Sequence, residues 1–256
     1  RSMSTLGFRL TQDLVGADIA SGVMAGALRH PDKAALLFED RRLSFMQLAA
    51  RIQQVAALAR DELGLRPGDC AAIYAPNCLP YIELVAGLSR AGVMVATPTH
   101  RAAPEELRQI LENCQAKVVF CPDDLLENLA GRTTASVLSL DTGYEEMLAR
   151  QSLSELVPPA DREATFCIPY TSGTTGEPKG VMLSHHCRAF LFEAMAHHFR
   201  CLGPDDQHLC FAPLAHGGGY GFAMASVFNG GTLELLAAFD PAHVMARLAS
   251  GEVTSV

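Results

Sequence analysis

The chain lacks a long hydrophobic run. A membrane-crossing helix needs roughly 18 consecutive apolar residues, and the richest stretch here, Val85 to Ala96, is broken by Ser89 and Arg90. No export signal is expected from its first residues. Asp13 and Asp18 stand where a signal peptide would have an apolar centre, and Arg1-Ser2 before Met3 read as a remnant of cloning. A soluble, cytoplasmic protein is expected. Closely spaced cysteines are missing as well. Cys70, Cys78, Cys114, Cys121, Cys167, Cys187, Cys201 and Cys210 include no pair at the short spacing that zinc ribbons and redox motifs use, so buried free thiols are expected. Positive charge is scarce, with 20 Lys plus Arg against 28 Asp plus Glu and a formal net charge of −8. That balance excludes a sequence-blind nucleic-acid binder, which needs a basic face for phosphate contacts. Lysine is the scarcest basic residue. Only Lys33, Lys117 and Lys179 are lysine; the first two stand beside expected strand starts and read as surface charge, whereas Lys179 has a different setting.

What is present is enough apolar residue, 49% of 256, to bury one sizeable core. Short β-branched or apolar runs alternate with longer amphipathic ones, the pattern of an α/β protein on a mostly parallel sheet. Ala34 to Phe38 and Arg41 to Leu43 can pair as a hairpin across Glu39-Asp40. Ser44-Phe45-Met46-Gln47 reads as a capping box before a helix that ends near Gly64. Strands follow at Cys70 to Ala75, Val93 to Ala96 and Lys117 to Cys121, with helices from Leu79 to Arg90 and from Pro104. Ser152 to Glu163, polar and unpatterned around Pro158-Pro159, is the best linker candidate. Beyond it, Thr165 to Tyr170 and Gly180 to Leu183 read as strands. Ser184 caps a helix whose expected buried stripe is Phe190, Leu191 and Ala194 with Met195 and Phe199. His185-His186 and His197-His198 lie on that helix too far apart along its axis to converge on one metal. A strand, helix, strand, helix series ends at Ala249, and Val253 to Val256 reads as the start of another buried strand.

The segment Tyr170-Thr171-Ser172-Gly173-Thr174-Thr175-Gly176-Glu177-Pro178-Lys179-Gly180 carries the chemistry. Seven of its eleven residues are Ser, Thr or Gly. Small hydroxyls and backbone able to turn its amides toward one point form a phosphate cradle, and Lys179 adds a compact mobile charge. Glu177 and Pro178 separate Gly176 from Lys179, so the G-x-x-x-x-G-K-[ST] spacing is not met, and neither G-x-G-x-x-G nor G-x-S-x-G occurs. With so few packed contacts, the unliganded loop is expected to be mobile.

The string YTSGTTGEPKGVMLSH resembles, nearly letter for letter, the phosphate-loop signature of the adenylate-forming enzymes: acyl-CoA synthetases, aryl-CoA ligases, luciferase and peptide-synthetase adenylation domains. Leu43 to Leu48, Asn113 to Phe120 and Pro213-Leu214-Ala215-His216-Gly217 are similar to further segments of that family, the last to its P-L-x-H-x-x-G signature, so the resemblance runs from about His30 onward. It implies a layered α/β fold with two β-sheets packed with helices, here incomplete. Residues 4–256 would be the first part of the large N-terminal AMP-binding domain, with 4–157 one subregion, 164–256 the phosphate loop and the start of the acid-binding subregion, and no C-terminal domain.

The activity implied has two steps. A carboxylate attacks the α-phosphate of ATP to give an acyl-adenylate and pyrophosphate, and the thiol of coenzyme A then displaces AMP, with Mg2+ assisting. By the same resemblance, Thr171, Ser172, Gly173, Thr174, Thr175, Gly176 and Lys179 hold the phosphates, Lys179 and His216 are catalytic, and His216, Gly217 and Gly218 line the acid pocket. A hydrogen-bonded core histidine is the competing reading of His216. Ala215 stands where many relatives carry an aromatic residue, which implies a wider pocket. The family's aromatic-Gly-x-Thr-Glu segment is absent, since Tyr220-Gly221-Phe222-Ala223-Met224 lacks Thr-Glu; these residues alone are therefore expected to be inactive. The partners implied are a small carboxylic acid and coenzyme A, with a homodimer left open. Two alternatives stand beside the acid:CoA ligase: an enzyme that loads a carrier-protein thiol, and a short non-catalytic nucleotide-binding or interaction module.

Overall fold

The computed structural model describes residues 9–171 and 178–256, with Thr171 described by its backbone alone. After a short 3-10 turn at Gln12–Leu14 come α1 (Ala20–Arg29) and the hairpin of β1 (Ala34–Phe38) and β2 (Arg41–Ser44). The capping box forms: Gln47 N–H donates to Ser44 Oγ at 3.2 Å and Ser44 N–H donates to Gln47 Oε1 at 2.8 Å. It opens α2 (Phe45–Ala57), which a π-type turn continues over Leu58–Glu62. Then follow β3 (Cys70–Ile73), α3 (Leu79–Arg90), β4 (Met94–Ala96), α4 (Pro104–Asn113), β5 (Ala116–Cys121), β6 (Ser136–Ser139) and α5 (Tyr144–Arg150). The rest of the chain supplies β7 (Thr165–Ile168), β8 (Tyr170–Thr171), β9 (Lys179–Gly180), β10 (Leu183–Ser184), α6 (His185–Phe199), β11 (Gln207–Cys210), α7 (Gly217–Phe228), β12 (Thr232–Leu235) and α8 (Pro241–Ala249). Proline opens α4 and α8 at the position where a missing amide costs nothing, and Asp240 caps α8 by accepting from Ala242 N–H at 2.9 Å.

Among the described residues the strands form two main sheets. One has the order β10-β7-β4-β3-β5-β6 and is parallel apart from β10; the other is β11-β12-β1-β2, parallel apart from β2. The expected two-sheet α/β arrangement is therefore present, with α1, α2, α3 and α7 packed on one another around one large core. The helices approach closely where glycine allows it: a Cβ on Gly87 of α3 would collide with Val55 of α2 and lie 2.9 Å from Ile52 O.

The segment 152–163 is irregular, yet it is pinned to the body. Val157 N–H donates to Gln53 Oε1 at 2.7 Å, Gln53 Nε2 returns a bond to Val157 O, and Ala160 N–H donates to Asp18 Oδ2. Asp18 is itself fully buried in an ion pair with Arg90, Nε to Oδ2 at 3.2 Å. Each sheet contains strands from both sides of this segment.

Three sequence expectations need correction. On α6 the buried face carries His185, Arg188 and Phe192, while Phe190, Leu191 and Phe199 are 68, 40 and 51% exposed and Ala194 and Met195 half-buried. Apolar residues occur all around this helix, so periodicity alone could not choose its inner face. Lys33 is not plain surface charge. Its ammonium donates to Pro204 O and Gly230 O and sits 5.7 Å from the Phe45 ring centre, and burial pulls its pKa down. Of the eight free cysteines five are buried, but Cys187 is exposed. Lys117, by contrast, makes an exposed ion pair with Asp69 at 2.6 Å. Val253 to Val256 contributes an isolated parallel bridge, Ser255 to His208, with Leu209 N–H donating to Ser255 O at 2.9 Å.

Candidate active site

The chemistry-bearing loops leave the carboxyl ends of strands in both sheets, where ligands of open α/β sheets bind. From β7 the chain enters the β8-β9 stem, in which Tyr170 pairs with Gly180 and Thr171 with Lys179. Tyr170 donates its hydroxyl proton to Asn113 Oδ1 at 2.7 Å, tying the stem to the end of α4. Lys179 is exposed on the strand that closes the loop, directly across from Thr171. Ser172, Gly173, Thr174, Thr175 and Gly176 lie outside the described residues, and so does the expectation of a mobile loop.

The second group follows β11. His216 stands at the N-cap of α7, with its N–H donating to Pro213 O and its carbonyl accepting from Tyr220 N–H, both at 3.0 Å. Its side chain is exposed, which removes the core-histidine reading. Gly217 and Gly218 are exposed as well, and a side chain on either would meet no atom within 4 Å. At Gly219 a Cβ would lie 2.7 Å from Pro213 O and 2.8 Å from Ala212 O, so only glycine lets the loop fold back onto the helix. A cavity of about 120 Å³ opens against Gly218, Gly219 and Phe222 of α7 and against His208, Cys210 and Ala212. Burial pushes His208 down to about 4, so its imidazole is neutral near pH 7.

The structure brings His216, Gly217 and Gly218 together, and separately sets Lys179 beside the backbone of Thr171. Among the described residues no hydrogen bond joins the two groups. They share a mounting instead: Phe166 of β7 and Tyr220 of α7 pack with ring centres 6.1 Å apart. Two residues were not evident from sequence. His100, after β4, has a buried Nδ1 with no partner among the described residues, and burial, Arg101 and His216 together lower its pKa. Asn77, after β3, bonds to the loop that carries His216. Both lie in connections without a motif, and the meeting of the two sheets brings each of them to the His216 loop.

The fold is thus two mostly parallel sheets packed with helices, with a hairpin stem after β7 and an exposed histidine at the helix start after β11. The chain belongs to the AMP-binding enzyme family, whose profile matches residues 24–255. It is similar to feruloyl-CoA synthase of Amycolatopsis sp, with 29% identity over 232 residues, 88% of this chain and 45% of that protein. It is also similar to tyrocidine synthase 2 of Brevibacillus parabrevis, with 32% identity over 212 residues, 82% of this chain and 6% of that protein. Among solved structures, ATP-bound MatB from Rhodopseudomonas palustris matches with a TM-score of 0.83 and 26% identity over 91% of this chain and 48% of its own. A Mycobacterium tuberculosis fatty acyl CoA synthetase shares the fold, with a TM-score of 0.80, 22% identity and 93 and 48% of the two chains covered. The chain spans about half the length of the CoA ligases it matches. Among the described residues no helix is long and apolar enough to cross a membrane.

Proposed function

We propose that this chain supplies the phosphate loop and the carboxylate-side histidine of an AMP-forming acid:CoA ligase. In this reading residues 4–256 are the first part of a large N-terminal AMP-binding domain, cytoplasmic, with 4–157 as one subregion and 164–256 as the start of the acid-binding one. The observation that carries the proposal is the β8-β9 stem, whose Thr171–Lys179 pair puts the cation at the base of a hydroxyl- and glycine-rich loop within the matched family region.

ATP binds with its β- and γ-phosphates on Thr171, Ser172, Gly173, Thr174, Thr175 and Gly176. Negative charge grows on the phosphates as the carboxylate attacks, and the amides and hydroxyls of the loop, with the Lys179 ammonium, stabilise it. His216 meets the substrate carboxylate at the positive end of the α7 dipole, and Gly217 and Gly218 leave room for the acyl or aryl group. Pyrophosphate leaves with formation of the acyl-adenylate, and the thiol of coenzyme A then takes the acyl group as a thioester with AMP as the leaving group. Mg2+ would neutralise phosphate charge when bound; the described residues offer no group of three His, Cys, Asp or Glu able to hold it, so no residue here is assigned to it.

The test is acid-dependent ATP–pyrophosphate exchange by the full-length protein, followed by thioester formation with aliphatic and aromatic acids. Lys179→Ala lowers exchange by about a hundredfold or more; an unchanged rate removes Lys179 from the reaction. Acceptance of bulky acids, lost in Ala215→Phe, would support the wider pocket read from Ala215. The 32% identity to tyrocidine synthase 2 favours a second reading, transfer to a carrier-protein thiol. Exchange without any CoA thioester, but with acylation of a phosphopantetheinyl carrier, would select it. Nucleotide binding with no exchange would select a non-catalytic module.

A further inference from the structure

We infer that Asn77 is a positioning residue for His216, an inference that rests on the role given to His216 above. Asn77 lies in the connection from β3, of the six-stranded sheet, to α3, and is 6% exposed. Its amide makes three hydrogen bonds, none within its own sheet. Nδ2 donates to Ala212 O and to Leu236 O, each at 3.1 Å, and Oδ1 accepts from Leu214 N–H at 2.8 Å. All three partners are backbone groups just beyond β11 and β12 of the four-stranded sheet. One side chain thus joins strand ends of both sheets at the point where the His216 loop begins.

The chemistry of the partners selects asparagine. Two carbonyls can only accept and one N–H can only donate, so the amide has a single satisfactory orientation. An aspartate of the same shape would face two carbonyl oxygens with a carboxylate, and an apolar residue would take the partner from the buried Leu214 N–H and from the part-buried Leu236 carbonyl, leaving Ala212 O only the Cys210 thiol. The path from the clamp to the imidazole is short and stiff. Leu214 is fully buried, the His216 N–H closes a turn on Pro213 O, and the His216 carbonyl accepts from Tyr220 N–H. Gly219 presses on Ala212 and Pro213 from the helix side. Releasing Leu214 therefore moves the start of α7 and the ring of His216, leaving the β8-β9 stem in place.

The experiment compares the full-length wild type with Asn77→Ala and Asn77→Asp by exchange kinetics, thermal melting and NMR of the histidine rings, the His216 signal being identified by its loss in His216→Gln. Asn77→Ala is expected to lower kcat roughly ten- to hundredfold, the cost of a displacement near 1 Å, with KM for ATP unchanged. It should shift the His216 ring signal while the His185 signal stays. Asn77→Asp, which has the same shape and still accepts from Leu214 N–H, should recover part of kcat. A lower melting temperature with kcat and the His216 signal unchanged would overturn the inference and leave Asn77 as a clamp for stability, as would failure of both variants to fold. Should the wild type show no exchange, the ligase reading fails, and the His216 signal alone decides whether Asn77 positions that ring.

Discussion

At the residue scale the two ends of the Pro213–Gly219 turn make opposite demands. His216 is exposed, so replacing it should leave stability almost untouched, within about 0.5 kcal/mol as for ordinary surface positions, while exchange activity falls. His216→Gln with wild-type melting and wild-type exchange would remove it from the site. Gly219 is the reverse case. A methyl group there meets the carbonyls of Ala212 and Pro213 at 2.8 and 2.7 Å, and Gly219→Ala should cost about 1–3 kcal/mol, the range for overpacking. Denaturant unfolding measures it, and an unchanged midpoint would mean that the turn relaxes freely. Lys33 shows why a lysine is kept in a chain that otherwise uses arginine. A compact ammonium reaches two carbonyls, Pro204 O and Gly230 O, from a half-buried position where a planar guanidinium has a different shape to satisfy.

At the scale of elements, α6 separates composition from placement. Phe192 is fully buried and packs at a tilt against Phe228 with ring centres 5.6 Å apart, whereas Phe190, two residues earlier, is 68% exposed. Phe192→Ala should destabilise by about 3–5 kcal/mol, and Phe190→Ser by less than about 0.5 kcal/mol. Equal losses in chemical denaturation would restore the stripe expected from the sequence. The inner face is chosen by contacts made elsewhere in the chain: the Ile19 N–H donates to His185 Nδ1 at 3.1 Å, and Phe166 packs on the same ring at 5.3 Å. The segment 152–163 carries the same lesson. Its composition is that of a connector, yet Gln53 and Asp18, more than a hundred residues away, hold it by hydrogen bonds to its backbone.

For the whole molecule, burial of two imidazoles sets a response to acid. Burial pushes both His185 and His208 from the ordinary 6.5 down to about 4. In the unfolded chain these rings take up protons near pH 6.5, whereas the folded chain refuses them until about pH 4. Their contribution is therefore fully present above about pH 6.5 and is lost as pH falls toward 4, each ring costing up to about 1.4 kcal/mol per pH unit in between. The melting temperature should decline between pH 6.5 and 5, above the range where exposed carboxylates titrate, and His208→Gln should flatten the decline. A profile that is level there in the wild type would contradict the burial of both rings. The buried Asp18–Arg90 pair adds rigidity of another kind, since it ties residues before α1 to the end of α3 and, through Ala160, to segment 152–163.

What the sequence determined by itself was whatever local chemistry decides. The capping box at Ser44 and Gln47, the proline opening α4, the hairpin at Glu39-Asp40 and the residue string of the phosphate loop depend on neighbours within a few positions, and all but the last are seen in the structure as read. Tertiary structure alone decided which way α6 turns, what Lys33 holds, that His216 is exposed at a helix start, and that Asn77 spans the two sheets. These depend on groups far apart in sequence, brought together when strands from both halves of the chain enter the same sheets. Periodicity and spacing report the chain's own neighbours, whereas the partners of a buried amide or an inward-turned ring are known only once distant backbone has been placed beside them.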